Sequence, residues 1–136
     1  MSKQIITVPA DSPLFPSQAE FDKYGYSPAV RAGGLLFISG QIALKTDGSV
    51  PEDITEQVEL VFQKTVEVLR WAGLTTEDLV EIYSYHVKLP DTFSQFIAVK
   101  EKYLTSSFPA WTAIGVDALG LPELKIEMRS VAAFRD

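Results

Sequence analysis

Apolar residues recur along this chain with two periods, one of about two residues and one of three to four, and the changes of period mark out the elements. Gln4 to Val8 reads as a short edge strand, and Pro9 to Pro16, with three prolines, an Asp and a Ser, as an ordered loop. The pattern gives no assignment for Ser17 to Tyr26. Ala29 to Arg31 and Leu35 to Ser39 flank Ala32-Gly33-Gly34, which predicts a hairpin because glycine supplies the positive φ of a tight turn. Gly48 after Asp47 marks a second turn. Asp53 with Glu56 three residues on resembles a capping pair. Behind it Val58, Val61, Phe62, Thr65, Val66, Leu69 and Ala72 form one helical stripe that Gly73 closes, with Thr75 and Asp78 in the link that follows.

Leu79 to Leu89, rich in Val, Ile and Tyr, predicts a strand ended by Pro90. A second helix is expected from about Thr92 to Leu104, its stripe made of Phe93, Phe96, Ile97, Lys100, Tyr103 and Leu104. Strands near Ala110 to Val116 and Leu124 to Phe134 close the chain, with Gly120 and Pro122 between them. The order β-β-β-α-β-α-β-β predicts an α+β fold in which a mixed sheet carries two helices on one face. In the last strand Leu124, Ile126, Met128, Ser130, Ala132 and Phe134 fit the covered face, which turns Lys125, Glu127, Arg129, Val131 and Ala133 outward. By the same alternation Thr112, Ile114 and Val116 are expected inward and Trp111, Ala113 and Gly115 outward. Leu36 and Ile38 are expected inward, and Leu35, Phe37 and Ser39 outward. An outward face holding Phe37, Trp111 and Val131 beside Glu127 and Arg129 is seldom left to water, so it is expected to meet another subunit.

Composition narrows the chemistry. The 136 residues suit a single domain, 1–136, of a size that gains from an oligomer interface. A net charge of −6 without a Lys/Arg cluster disfavours a nucleic-acid partner. The absence of cysteine excludes disulfides and thiolate metal sites, and the single histidine, His86, excludes a multi-histidine site within one chain. No metal or organic cofactor is expected. The segment Met1-Ser2-Lys3-Gln4 lacks the apolar run of a signal peptide, and no stretch approaches the roughly 20 apolar residues of a membrane span. A cytoplasmic location is the resulting expectation, with no membrane partner.

Tyr26-Ser27-Pro28-Ala29-Val30-Arg31-Ala32-Gly33, then Leu36-Phe37-Ile38-Ser39-Gly40-Gln41, then Phe108-Pro109-Ala110-Trp111-Thr112 and Lys125-Ile126-Glu127 stand in order across the chain. This ordered set resembles the RidA (YjgF/Endoribonuclease L-PSP) family over residues 26–134, with 9–25 as a loop-rich N-terminal insertion. The run Trp111 to Val116 and the pair Tyr85-His86 resemble its YjgH-like branch. The resemblance implies a chorismate-mutase-like fold and a homotrimer with small-molecule clefts between subunits. It also implies cofactor-free hydrolysis of enamines and imines to 2-oxo acids and ammonia. In the family an arginine in the Pro-x-Arg-Ser/Thr motif holds the substrate carboxylate, and a glutamate in the last strand helps place water.

Tyr26, Ser39 and Glu127 match family pocket positions. Trp111 stands at the arginine position, and Lys100 at a helix position that often carries asparagine. Phe37 and Arg129, on the outward face, complete the candidate ligand contacts. An indole has one N–H and no positive charge, so it cannot replace a bidentate clamp, whose loss costs about 2–4 kcal/mol when the pair is buried. Trp111 is either a pocket wall for a less anionic ligand or a packing residue that closes the cleft. Glu127 is either a water-orienting base or half of an ion pair. Arg31, Arg129 or Lys100 either restores the missing charge or serves in salt bridges, and His86 is either a proton shuttle or a structural histidine. The implied activity is an imine/enamine hydrolase on a substrate that does not require the clamp. The alternative is a non-catalytic ligand-binding or regulatory trimer. The endoribonuclease in the family's name is disfavoured by the acidic balance.

Overall fold

The computed structural model describes residues 2–135. A six-stranded mixed sheet runs in the spatial order β1-β2-β3-β6-β4-β5. Its strands are β1 (Lys3–Ile6), β2 (Ala29–Ala32), β3 (Leu35–Ile42), β4 (Leu79–Val87), β5 (Ala110–Val116) and β6 (Ile126–Ala133). Among the described residues there are three α-helices, not two: α1 (Gln18–Tyr24), α2 (Ile54–Trp71) and α3 (Leu89–Tyr103). The short α1 buries only Phe21, which explains why no apolar period betrays it. α2 and α3 pack on each other and cover one face of the sheet. Only β4 and β5 pair in parallel, joined by the α3 crossover that a parallel pair requires.

Local signals produce these elements. The Asp53 side chain accepts the Glu56 amide at 3.0 Å to start α2. At its end Gly73 adopts φ 76°, and the amides of Gly73 and Leu74 donate back to the carbonyls of Arg70 and Leu69. Thr75 and Asp78 form a capping box on a 3-10 turn, Thr76–Asp78, that feeds β4. Pro90 does not stop a strand. It lies in the first turn of α3, where its missing N–H costs nothing. The inward stripe of α3 is Thr92, Phe96 and Val99. Phe93 and Lys100, expected on the core stripe, lie on the flank that faces β5.

The core lies between sheet and helices. Ile126, Met128 and Ala132 of β6 and Leu36 and Ile38 of β3 are buried in it, as their alternation predicts. β3 and β6 slip register between Ile38 and Gln41, so Ser39 and Gly40 together oppose Arg129 in a bulge. After the bulge Gln41 faces the core opposite Met128, and Ile42 pairs with Glu127. The uncovered face carries Leu35, Phe37, Tyr83, Tyr85, Ile114, Val131 and Ala133 around Arg129, an apolar sheet surface with Phe37 44% exposed. No helix among the described residues is long and apolar enough to cross a membrane.

The facing of β5 is the reverse of the expected one. Trp111, Ala113 and Gly115 pair with Ile82, Ser84 and His86, all buried under the helices. Thr112, Ile114 and Val116 lie on the uncovered face with Tyr83, Tyr85 and Val87. Trp111 fixes the facing: its indole lies under Phe93 and Phe96 of α3, which leaves Ala113 and Gly115 on the same side of the strand. A Cβ on Gly115 would sit in ordinary contact with the Cβ of Leu89, at 3.7 Å. Size alternation in Thr-Ala-Ile-Gly-Val therefore points the wrong way.

Candidate functional site

Glu127 on β6 projects over the β3 bulge. A Cβ built on Gly40 would meet its carboxylate: the Oε2 atom would overlap outright, and Cδ would lie at 2.8 Å. Only glycine leaves this space open. Glu127 is half-buried and, among the described residues, has neither a hydrogen-bond nor an ionic partner. Burial pushes its carboxyl above the usual carboxylate range. Tyr26 lies close enough to feel this charge. Its phenol is pushed up first by burial and then by the negative charge of Glu127, so it keeps its proton and can donate it in a hydrogen bond. Tyr26 is 50% exposed and reaches solvent beside the carboxylate. Ser39, one residue before Gly40, donates its hydroxyl to the Ser27 carbonyl at 2.6 Å, and its amide donates to the Pro28 carbonyl. Ser39 therefore holds the bulge to the Tyr26 segment.

Gly40→Ala is expected to fold, because the obstructing atoms are the far end of a flexible side chain. It should nevertheless swing the Glu127 carboxylate away. Circular dichroism and a melting curve close to wild type, with any Glu127-dependent turnover lowered by about tenfold or more, would fit a misplaced catalytic group.

Trp111 lies elsewhere. Its indole packs under α3, with Phe93 and Phe96 stacked on it at centroid distances of 5.6 Å and the Lys100 ammonium 5.0 Å from the ring centroid. Phe93, Phe96 and Lys100 share one flank of α3 at spacings of three and four residues. The indole N–H donates to Ser84 Oγ at 2.9 Å, and Ser84 Oγ and His86 Nε2 are 2.8 Å apart. His86 Nδ1 and Thr92 Oγ1 are also 2.8 Å apart, and the Thr92 hydroxyl donates to the Leu89 carbonyl at 3.3 Å. The tautomer that satisfies this chain has Thr92 donating to Leu89, the imidazole proton on Nδ1 and Nε2 accepting from Ser84, whose Oγ already accepts from Trp111. Every donor in the chain then has an acceptor. The expectation that Trp111 faces outward beside Glu127 is thus corrected. Within one chain the two belong to opposite faces of the sheet, with β4 between their strands.

His86 is a structural histidine. Full burial lowers its pKa from 6.5 to about 4. The unfolded chain binds this proton at a higher pH than the folded one, so the contribution of neutral His86 is intact above pH 6.5 and is lost as the pH falls from there toward 4. The loss across that window is roughly 3 kcal/mol. Urea midpoints measured from pH 7 to 4 should fall more steeply for wild type than for His86→Gln, and parallel curves would contradict the assignment.

The other basic candidates are engaged. The Arg129 guanidinium donates to the Tyr85 hydroxyl at 3.0 Å and lies 4.2 Å from the Tyr83 ring centroid, on the uncovered face. Arg31 stacks on Phe134 at 3.7 Å and donates to the Gly33 carbonyl. Neither pairs with Glu127. Phe37 also lies on the uncovered face, where it pairs with Val131 and is separated from Glu127 by the bulge. The expected site residues therefore fall into three groups: Tyr26, Ser39 and Glu127 around Gly40; Trp111 and Lys100 against α3; Phe37 and Arg129 on the open sheet. Sequence reasoning missed two contributors. Gly40 is set by the Glu127 carboxylate, which local sequence cannot show. Phe93 was read as core. No group of three or more His, Asp or Glu able to hold a metal occurs among the described residues.

Comparison with known proteins places this geometry in context. Residues 18–134 match the family described as Endoribonuclease L-PSP, so the match takes in α1 as well as the segment from Tyr26 onward. The chain is 33% identical over 109 residues to the RutC family protein YjgH of Escherichia coli, covering 79% of this chain and 83% of that one. It is 36% identical over 110 residues to protein mmf2, mitochondrial, of Schizosaccharomyces pombe, covering 79% and 86%. A solved structure of protein YjgH superposes with a TM-score of 0.79 at 30% identity, covering 92% of this chain and 97% of that one. The structure of the yjgF gene product of E. coli superposes with a TM-score of 0.80 at 26% identity, covering 97% and 99%. With fold, motifs and relatives in agreement, the chain belongs to the Endoribonuclease L-PSP (RidA/YjgF) family.

Proposed function

We propose that the protein is a trimeric imine/enamine hydrolase that releases ammonia without the bidentate carboxylate clamp of the family's arginine-bearing deaminases. The observation that carries this reading is Glu127: a half-buried carboxylate without a partner, pushed above its ordinary range and set beside a protonated phenol over a glycine. Such a carboxylate is a stronger base than a solvated one. Glu127 takes a proton from water as the water oxygen bonds to the iminium carbon, and the C–N π electrons move to nitrogen. The carboxylic acid then returns the proton to nitrogen, Glu127 takes the hydroxyl proton as the carbonyl forms and ammonia leaves, and the departing ammonia carries that proton away as ammonium. Tyr26 donates a hydrogen bond to the substrate, and Ser39 fixes the bulge that frames it. An iminium carbon is already electrophilic, so this chemistry calls on no cofactor.

In this reading the uncovered apolar face docks on neighbouring chains. A neighbour then brings its Trp111 edge, with Phe93 and Lys100, to the Glu127 side of the cleft. Lys100 offers a point charge where an arginine would offer a fork, which favours substrates held loosely or not at all by a carboxylate. A cytoplasmic setting belongs to the same reading. The test is ammonia release from 2-iminopropionate and from a panel of neutral imines. The neutral members should be accelerated at least comparably to the anionic one, and a panel with no accelerated member would defeat the proposal.

One observation favours a second reading. The Trp111 indole is already committed to Ser84 and to the α3 aromatics, as in a cleft wall that has become packing. A non-catalytic ligand-binding trimer would show ligand-dependent thermal stabilisation with no turnover.

A further inference from the structure

Lys64 of α2 is only 5% exposed, yet no carboxylate lies within ion-pairing distance of it among the described residues. Its ammonium donates one hydrogen bond, to the Leu44 carbonyl at 2.6 Å, and lies 5.4 Å from the centroid of the Phe15 ring. Two N–H groups remain for something else. The same lysine lines a cavity of about 440 Å³ between the Phe15–Tyr26 segment and the end of β3, within the ordinary range for a small-molecule site. Phe15, Phe21, Ile42 and Leu44 give that cavity apolar walls. Lys45, Glu20 and Tyr26 are the other titratable groups along it, and Lys45 is exposed.

We propose that this cavity binds a small organic monocarboxylate with an apolar body, and that the Lys64 ammonium is its counter-charge. A buried cation without a counter-ion is costly, and an entering carboxylate relieves that cost with charge-assisted hydrogen bonds. A single buried ammonium among apolar walls suits one negative charge and an aliphatic tail. It does not suit a phosphate dianion, which would need several donors. The site lies within one chain and uses neither Glu127 nor the Trp111 edge, so it goes beyond the hydrolase reading. Tyr26 and Gly40 border both.

The site should have a characteristic pH dependence. Burial lowers the Lys64 pKa from 10.5 to about 8. Below that value the ammonium is charged and ready to pair. Above it the amine is neutral, and affinity for the anion should fall about tenfold per pH unit. Tyr26 at the cavity wall, whose phenol is raised above its ordinary range, keeps its proton through this inflection.

The experiment is thermal stabilisation of the full-length protein by pentanoate at pH 7, with pentanamide as the neutral isostere. Pentanoate should raise the melting temperature saturably, and pentanamide should not. Lys64→Met and Lys64→Gln, each shown to be folded by circular dichroism, should weaken pentanoate binding by about tenfold or more. Lys23→Met, on α1 outside the cavity, should bind as wild type does. Repeating the wild-type titration to pH 10 should show the loss above about 8. A saturable shift of equal size with pentanamide, equal binding by the Lys64 variants, a pH-independent affinity or no saturable shift at all would each overturn the proposal. Ammonia release plays no part in these measurements, so their failure and that of the hydrolase reading are separate results.

Discussion

Glu127→Gln should reduce kcat/KM for imine hydrolysis by about 10²- to 10⁴-fold, the span that general acid–base catalysis contributes. The same change should leave the protein as stable as wild type or slightly more so. Glutamine keeps the shape of the side chain over Gly40 and removes a charge that burial disfavours. The sign follows from linkage. A carboxyl whose folded pKa lies above its unfolded value holds its proton more tightly in the folded state, so stability falls as the pH rises from the unfolded value through the raised one. Above that window Glu127→Gln removes the cost. A catalytic loss combined with an unchanged or raised urea midpoint separates a functional carboxylate from a structural one. A carboxylate that served the fold through an ion pair would lose stability when replaced.

Phe96→Ala should be the most damaging of the single substitutions for the fold, at about 3–5 kcal/mol. Phe96 is fully buried. Its ring stacks on Trp111 at 5.6 Å, meets His86 edge-on at 5.2 Å and lies 5.6 Å from Phe62. It thus joins α3 to α2, to β5 and to the polar chain through His86. Truncation would leave a cavity among rigid rings and loosen the stacking under Trp111. The urea midpoint should drop by most of the protein's margin. The Trp111 contribution to the emission should shift to the red in whatever folded protein remains. A loss below about 1 kcal/mol would mean that α3 can settle toward the sheet and refill the space.

Strands β6 and β5 differ in how far their facing could be read. In β6 large apolar residues alternate with polar ones, and helices cover one face only, so period two gives the facing of Glu127 directly. In β5 the indole of Trp111 stacks under Phe93 and Phe96, so Ala113 and Gly115 share its side and the larger Ile114 and Val116 face away. Facing there is decided by what sits above the strand, which only tertiary structure supplies. The same distinction explains the candidate site. Glu127, Tyr26 and Ser39 are grouped by a bulge in β3, and motif resemblance points to each of them. The space at the bulge is open because Gly40 carries no Cβ, so a carboxylate from a strand far along the chain fits over it. Lys64 could have been noticed: Leu60, Lys64 and Val68 succeed one another at four-residue steps, which sets a lysine in an apolar row.

The account stands most directly on Glu127 acting as a base in its half-buried setting. The decisive measurement is kcat/KM for a neutral imine as a function of pH in wild type and in Glu127→Gln. Wild type should lose activity on the acid side with an inflection above the ordinary glutamate value, and the variant should show a low rate without that inflection. Equal rates with the same acid limb in both proteins would contradict the account.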